Sequence, residues 1–126
     1  MIRYLIDANA AVYAMDVGYE RLTARIAECA EGEIGISTIS FAEVAYGTYV
    51  GKPPSPEVLD AFIDAIPLIA FDEAAARAYA RLPFKRARFD RLLAAHALSI
   101  GATVITANLA DFTDVTGLVV EDWTEQ

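Results

Sequence analysis

Short apolar runs that end on a carboxylate or a glycine alternate with longer stretches in which apolar residues recur every three or four positions. Ile2 to Ile6 predicts a buried strand, and Ala8 to Met15 a short helix. From Tyr19 to Ala30 the residues Leu22, Ile26 and Cys29 keep helical spacing, and Gly32 ends it. Ile34 to Ile36 predicts a second strand. Ser40 begins a helix that runs through Tyr49, where Gly51 and the Pro53-Pro54 pair punctuate a loop. Pro56 to Ile66 sets Leu59, Phe62, Ile63 and Ile66 on one helical face. Leu68 to Phe71 is the next strand, and Asp72 caps the Ala-rich helix after it. A basic loop, Pro83 to Arg88, leads into a helix from Phe89 to Ile100, and Thr103 to Thr106 and Leu118 to Val120 are the last strands. Strands alternating with helices predict an α/β fold: βαβ units, a central parallel sheet of about five strands, and helices on both faces in three layers. Residues 1–126 read as one domain, without repeat, linker or low-complexity segment.

Composition changes this picture in two places. Apolar residues make up 56% of the chain and the mean hydropathy is +0.34. A chain of 126 residues cannot enclose all of that surface, so an apolar face reserved for a partner is expected. The lone cysteine, Cys29, excludes an internal disulfide framework and a thiolate zinc site. No charged-then-apolar leader opens the sequence, which fits a cytoplasmic location. Leu92 to Ala110 carries no Asp, Glu, Lys or Arg and has the length of a membrane span. Its interior holds His96, Ser99, Thr103, Thr106 and Asn108, with Gly101 breaking it, so a buried helix followed by a buried strand is the better reading.

A net charge of −8 argues against a phosphate-rich partner, but its distribution weakens the objection. Six of the ten basic residues (Arg77, Arg81, Lys85, Arg86, Arg88 and Arg91) fall within fifteen positions that bracket Asp90. If bound metal neutralises some of the acids, the local balance favours an anionic substrate.

Four of those acids sit where the predicted elements would deliver them to one place. Asp7 ends the run Tyr4-Leu5-Ile6, and Asp111 follows Thr103 to Asn108. Asp90 opens a helix, and Glu43 lies near the start of the helix after the second strand. In an open parallel sheet, ligands bind beyond the carboxyl ends of the strands, and right-handed crossovers bring helix starts to that edge. Each acid also has an ordinary explanation. Asp7 is a good N-cap, Ser40-Phe41-Ala42-Glu43 is a formal capping box, Asp90 complements a helix dipole, and Asp111 suits a turn. One metal site is more economical than four coincidences, and hard oxygen donors suit Mg²⁺ or Mn²⁺. His96 lies six residues from Asp90, off its helical face, and reads as a packed or exposed histidine. Cys29, Tyr4 and Trp123 read as packing residues.

The same residues resemble a family. Leu5-Ile-Asp-Ala-Asn9, Ile39-Ser-Phe-Ala-Glu-Val-Ala-Tyr-Gly47, Phe89-Asp-Arg-Leu-Leu-Ala-Ala-His-Ala-Leu98, Val104-Ile-Thr-Ala-Asn-Leu-Ala-Asp-Phe112 and the closing Gly117-Leu-Val-Val-Glu-Asp-Trp123 are similar to the PIN-domain ribonucleases, and among them to the VapC-type toxins of toxin–antitoxin pairs. The resemblance runs essentially end to end. It implies a PIN-like three-layer fold, Mg²⁺ or Mn²⁺, RNA as substrate, a small antitoxin partner and a homodimer. It carries the family's acidic positions onto Asp7, Glu43, Asp90 and Asp111, and its accessory polar positions onto Asn9, Thr106 and Asn108. Ala8 departs from the family, where Thr or Ser is common, and removes a hydroxyl beside the site.

With no suitably placed nucleophilic side chain, an activated water is the expected attacking group, which predicts 5′-phosphate and 3′-hydroxyl products. Asp7, Asp90 and Asp111 are the first-choice ligands. Glu43 either binds metal through water or orients the nucleophile. Lys85, Arg86, Arg88 and Arg91 are expected to hold the RNA backbone. Three rival readings are weaker. A receiver domain needs a lysine after a late strand, and Lys52 and Lys85 both lie in loops outside the last strands. A haloacid-dehalogenase-type phosphatase wants Asp-x-Asp after the first strand, where this chain has Asp7-Ala8-Asn9. A non-catalytic binding module would show no metal-dependent cleavage of any RNA.

Overall fold

Leu5 and Ile6 are both fully buried, yet they enter different cores, because successive side chains of a strand leave on opposite faces. They belong to the first strand, β1 (Tyr4–Ile6), in a computed structural model that describes residues 1–124. Helices α1 (Ala8–Ala14) and α2 (Glu20–Glu28) follow, then β2 (Ile34–Ser37), α3 (Thr38–Tyr49) and α4 (Pro56–Ala65). The edge strand β3 (Leu68–Ile69) leads through α5 (Glu73–Ala80) and α6 (Arg88–Ile100) to β4 (Thr103–Ile105). A 3₁₀ turn (Leu109–Phe112) precedes the last strand, β5 (Val120–Glu121).

All four strand pairings are parallel, in the order β3-β2-β1-β4-β5. The chain therefore leaves β1 toward one edge and returns to build the other half from β4. That reversal places the switch point between β1 and β4, where an open α/β sheet forms its ligand crevice. On one face Ile6, Ile36 and Ile105 pack with Ala10, Leu22, Val44 and Leu59 from the first four helices. On the other, Leu5 and Val104 pack with Leu93, Ala94 and Ala97 of α6. The expected three-layer α/β/α architecture with five parallel strands is what the chain forms.

Several boundaries differ from the sequence reading, each for a local reason. α3 starts at Thr38, not Ser40, because Ser37 is its cap and accepts from the Ile39 amide at 3.1 Å. β3 stops at Ile69 because the Phe71 amide turns to the Thr38 hydroxyl, 3.1 Å away. β5 begins at Val120 because the Leu118 amide still closes a turn onto the Val115 carbonyl. The long uncharged stretch does divide at Gly101, whose φ of +68° suits glycine and ends α6. Among the described residues no helix is long and apolar enough to cross a membrane.

Candidate active site

Asp7 sits at the mouth of the switch point. Its amide donates to the Ile105 carbonyl at 2.9 Å, the last rung between β1 and β4, and its Oδ1 accepts from the Ala10 amide at 2.8 Å. The ordinary reading, an N-cap, is therefore true, and it leaves the second carboxylate oxygen for other work. Burial pushes the Asp7 carboxyl up from its usual range, and the Asp111 and Asp122 charges push it the same way. Hydrogen bonds from the Thr106 side chain and the Ala10 amide act against that rise.

Glu43 and Asp90 meet the same cluster from two helices. Glu43 is raised by partial burial and then by the charges of Asp90 and Asp7. Asp90 is raised by partial burial and then by Asp111 and Asp7. Asp90 does stand in the first turn of α6, where a carboxylate complements the dipole, so that explanation holds beside its place in the cluster. The capping-box explanation of Glu43 fails. Ser40 lies inside α3 with its hydroxyl buried and unpartnered, and Glu43 is a turn and a half beyond the Ser37 cap.

Asp111 is held by its own loop. The 3₁₀ turn after β4 brings Asn108 back so that its Nδ2 donates to Asp111 Oδ2 at 2.7 Å, while the Asn108 amide donates to the Thr106 hydroxyl at 3.0 Å. Thr106 and Asn108 thus position Asp7 and Asp111. Asn9 is exposed in the first turn of α1 and makes no side-chain hydrogen bond among the described residues.

Asp122 is the acid that the sequence reading missed. It follows β5 directly, beside Thr106, whose amide donates to the Glu121 carbonyl at 3.0 Å. The signal was available: it is another carboxylate at a strand's carboxyl end. Its Oδ1 is taken up by the Thr124 amide at 2.8 Å, which makes it a source of negative field behind Asp7.

The expected RNA-facing cations divide. Arg91 is only 2% exposed; its Nη1 donates to Asp114 Oδ2 at 3.0 Å and its Nη2 to the Pro83 carbonyl at 2.7 Å. It cannot reach an RNA backbone, because one turn into α6 its face points to the core. Lys85 Nζ lies 2.7 Å from the same Asp114 oxygen. Those two cations hold the Asp114 carboxyl below its usual range, Lys85 foremost. Arg86 and Arg88 remain exposed and without a carboxylate partner among the described residues.

None of the five ion pairs among the described residues involves Asp7, Glu43, Asp90 or Asp111. The cluster is therefore negative charge without a protein counter-ion. Nor do any three His, Cys, Asp or Glu side chains stand close enough to cage an ion among the described residues. A hard cation that keeps several waters and takes only one or two carboxylates directly fits such a set better than one needing an all-protein cage.

Comparisons with known proteins bear on the family and the fold. The "tRNA(fMet)-specific endonuclease VapC" of Shigella flexneri is 27% identical, with 98% of this chain and 99% of that protein covered. The "Ribonuclease VapC2" of Rickettsia felis is 28% identical over 95% of this chain and 97% of that one. Among solved structures, VapBC2 from Rickettsia felis bound to a promoter DNA fragment superposes with a TM-score of 0.83 at 27% identity, covering 98% of this chain and 99% of that chain. DNA-bound VapBC from Salmonella typhimurium gives 0.83 at 26% identity, with the same coverage. The PIN domain model matches residues 4–118, from the first strand to the threshold of the last, and the chain belongs to the PIN domain family.

Proposed function

We propose that this protein is a divalent-metal-dependent endoribonuclease of the VapC type, neutralised by a small antitoxin. The observation that carries the reading is the set of mutually coupled carboxylates at the β1/β4 switch point, with no cation of the protein's own to balance them. The chemistry that Mg²⁺ or Mn²⁺ would supply when bound at these acids is an acidified water and neutralisation of charge developing on the phosphate. Asp7, Asp90 and Asp111 would hold the ion, one or two of them directly and the rest through its waters. Glu43, the more exposed of the two helix-borne acids, orients the attacking water. Thr106 and Asn108 keep Asp7 and Asp111 in their rotamers, and Arg86 and Arg88 hold the RNA backbone. The products are a 5′-phosphate and a 3′-hydroxyl.

The relatives from Shigella flexneri and Salmonella typhimurium are named for tRNA(fMet), so a tRNA is the first substrate to try. A homodimer is part of this reading, and the similarity to VapBC structures supports an antitoxin partner. So does an apolar surface left bare where α3 ends and α4 begins, formed by Tyr46, Tyr49, Val50 and Val58. A basic side chain from the antitoxin would be drawn to the uncompensated acids.

The test is cleavage of a tRNA by the purified chain. Activity should vanish in EDTA, return with Mg²⁺ or Mn²⁺, and be lost in Asp90→Asn. Full activity in EDTA, or products ending in 2′,3′-cyclic phosphate, would overturn the proposal.

A further inference from the structure

The loop before α6 presents an aromatic ring to solvent and is fastened on both sides of it. On one side Arg91 Nη2 donates to the Pro83 carbonyl at 2.7 Å. On the other, Lys85 Nζ is 2.7 Å from Asp114 Oδ2, the oxygen that also binds Arg91. Between these fastenings Phe84 is 74% exposed. Burying a phenylalanine stabilises a fold, yet this pinned loop leaves the ring in solvent. Instead the Arg88 guanidinium lies 5.9 Å from the centre of the ring, at the limit of a cation–π contact. Phe84, Arg86 and Arg88 together line an open cleft of about 430 Å³. Arg88 then stands only two residues, about half a helical turn, before Asp90 of the carboxylate cluster.

Resting on the nuclease reading above, we propose that Phe84, flanked by Arg86 and Arg88, is a stacking platform for one unpaired nucleobase next to the scissile phosphate. Single-stranded RNA is held by aromatic faces under the bases and by cations along the backbone. This cleft offers both within five residues. The charge also decides between occupants. Two arginines with no carboxylate partner among the described residues line the cleft with the ring, which suits a polyanion better than the apolar face of a protein helix. The chain then selects a flipped-out or loop nucleotide and not a base pair, because a paired base has no free face for Phe84. Stacking tolerates any base, so Phe84 gives a preference for unpaired RNA without reading sequence.

The experiment measures binding of a fluorescein-labelled single-stranded RNA decamer to the Asp90→Asn chain, which leaves the RNA intact. A second series of decamers carries one abasic nucleotide at each position in turn. Phe84→Leu keeps an apolar side chain and removes the π face; it should weaken binding by about tenfold. Phe84→Trp should restore it. At one position the abasic loss and the Phe84→Leu loss should coincide and not add. The salt dependence should be unchanged in Phe84→Leu and should drop by roughly one unit in Arg88→Gln. If Phe84→Leu binds RNA as well as its parent, while the unsubstituted chain still cleaves tRNA, the platform is refuted and the nuclease reading stands. Loss of antitoxin binding in Phe84→Leu with RNA affinity intact would assign the surface to protein docking instead, and also refutes it. If the unsubstituted chain neither cleaves nor binds RNA, the nuclease reading falls and takes the platform with it.

Discussion

Arg91 shows how far a residue's neighbours in sequence can mislead. It belongs to a run of basic residues beside an acid of the site, so sequence alone groups it with the RNA-binding cations. Its helical position turns it inward, where it ties the Pro83 carbonyl and Asp114 together. Removing one partner of a buried ion pair strands the other. Asp114→Ala should therefore destabilise the fold, though less than breaking a fully enclosed pair, because the Asp114 side chain is 37% exposed. Denaturant unfolding checks it; an unchanged unfolding midpoint would mean that the guanidinium finds another partner. Asp7 behaves oppositely. Its carboxyl, like those of Glu43 and Asp90, is raised in the folded chain above its ordinary value. Such groups add stability that is fully present below the unfolded-state pKa and is lost as pH rises through the folded one. The metal-free protein should thus lose stability from this source on going from acid to neutral pH. Asp7→Asn, which retains an oxygen for the Ala10 amide, should melt higher than its parent at pH 7 in EDTA and show a flatter pH profile. Thermal melts across pH decide it, and a lower melting point at pH 7 would contradict the burial of an uncompensated charge. Asp7, Asp90 and Asp111 were legible because each stands beside the start or end of an element, whereas Glu43, a turn and a half into α3, was set near a helix start only by taking Ser40 as the cap. Asp122 obeys the same rule, but its strand is only two residues long and easily placed a residue or two early.

At the scale of elements, the periodicity located every helix and strand, and the ends were set by hydrogen bonds between residues distant in sequence. Ser37 is the clearest instance. Its hydroxyl accepts from the Ile39 amide and also meets His96 Nδ1 at 2.8 Å, joining the start of α3 to the middle of α6. Nothing in the spacing of Ser37 and His96 announces that contact, and the local pattern favoured Ser40 as the cap. The two readings predict opposite mutants. Ser37→Ala should destabilise the fold by about 2 kcal/mol, because the helix loses its cap and a buried imidazole nitrogen is left unpaired. Ser40→Ala should be neutral or slightly stabilising, since the Ser40 hydroxyl is buried without a partner. Equilibrium unfolding of both variants distinguishes them, and a larger cost at Ser40 would reinstate the capping box.

Across the whole molecule two fields of opposite sign adjoin. The carboxylates of β1, α3, α6 and the turn after β4 converge without a counter-ion, while Arg86 and Arg88 stand free at the start of α6. The net charge of −8 hides this division. That the sheet is parallel was implicit in the βαβ alternation, but which strands flank the reversal was not, because strand order depends on crossovers that leave no mark in spacing. On the nuclease proposal, with β1 and β4 as neighbours, RNA would be drawn by one field and repelled by the other until a divalent ion neutralised the acids. Metal-free affinity for single-stranded RNA should therefore be low and should rise on adding Mg²⁺. In the Asp7→Asn, Asp90→Asn double variant it should already be higher without metal, and it should respond less to added ion. Replacing Arg86 and Arg88 by Gln should weaken binding at every metal concentration and reduce the salt slope by roughly two units, one for each phosphate no longer neutralised. The same change at Lys85 should lower the slope much less, since its charge is engaged by Asp114. Anisotropy titrations at several salt and Mg²⁺ concentrations measure all of these. Equal slopes for the parent and the double arginine variant would show that those two cations are merely solvated, and that the RNA approaches the acids by another route.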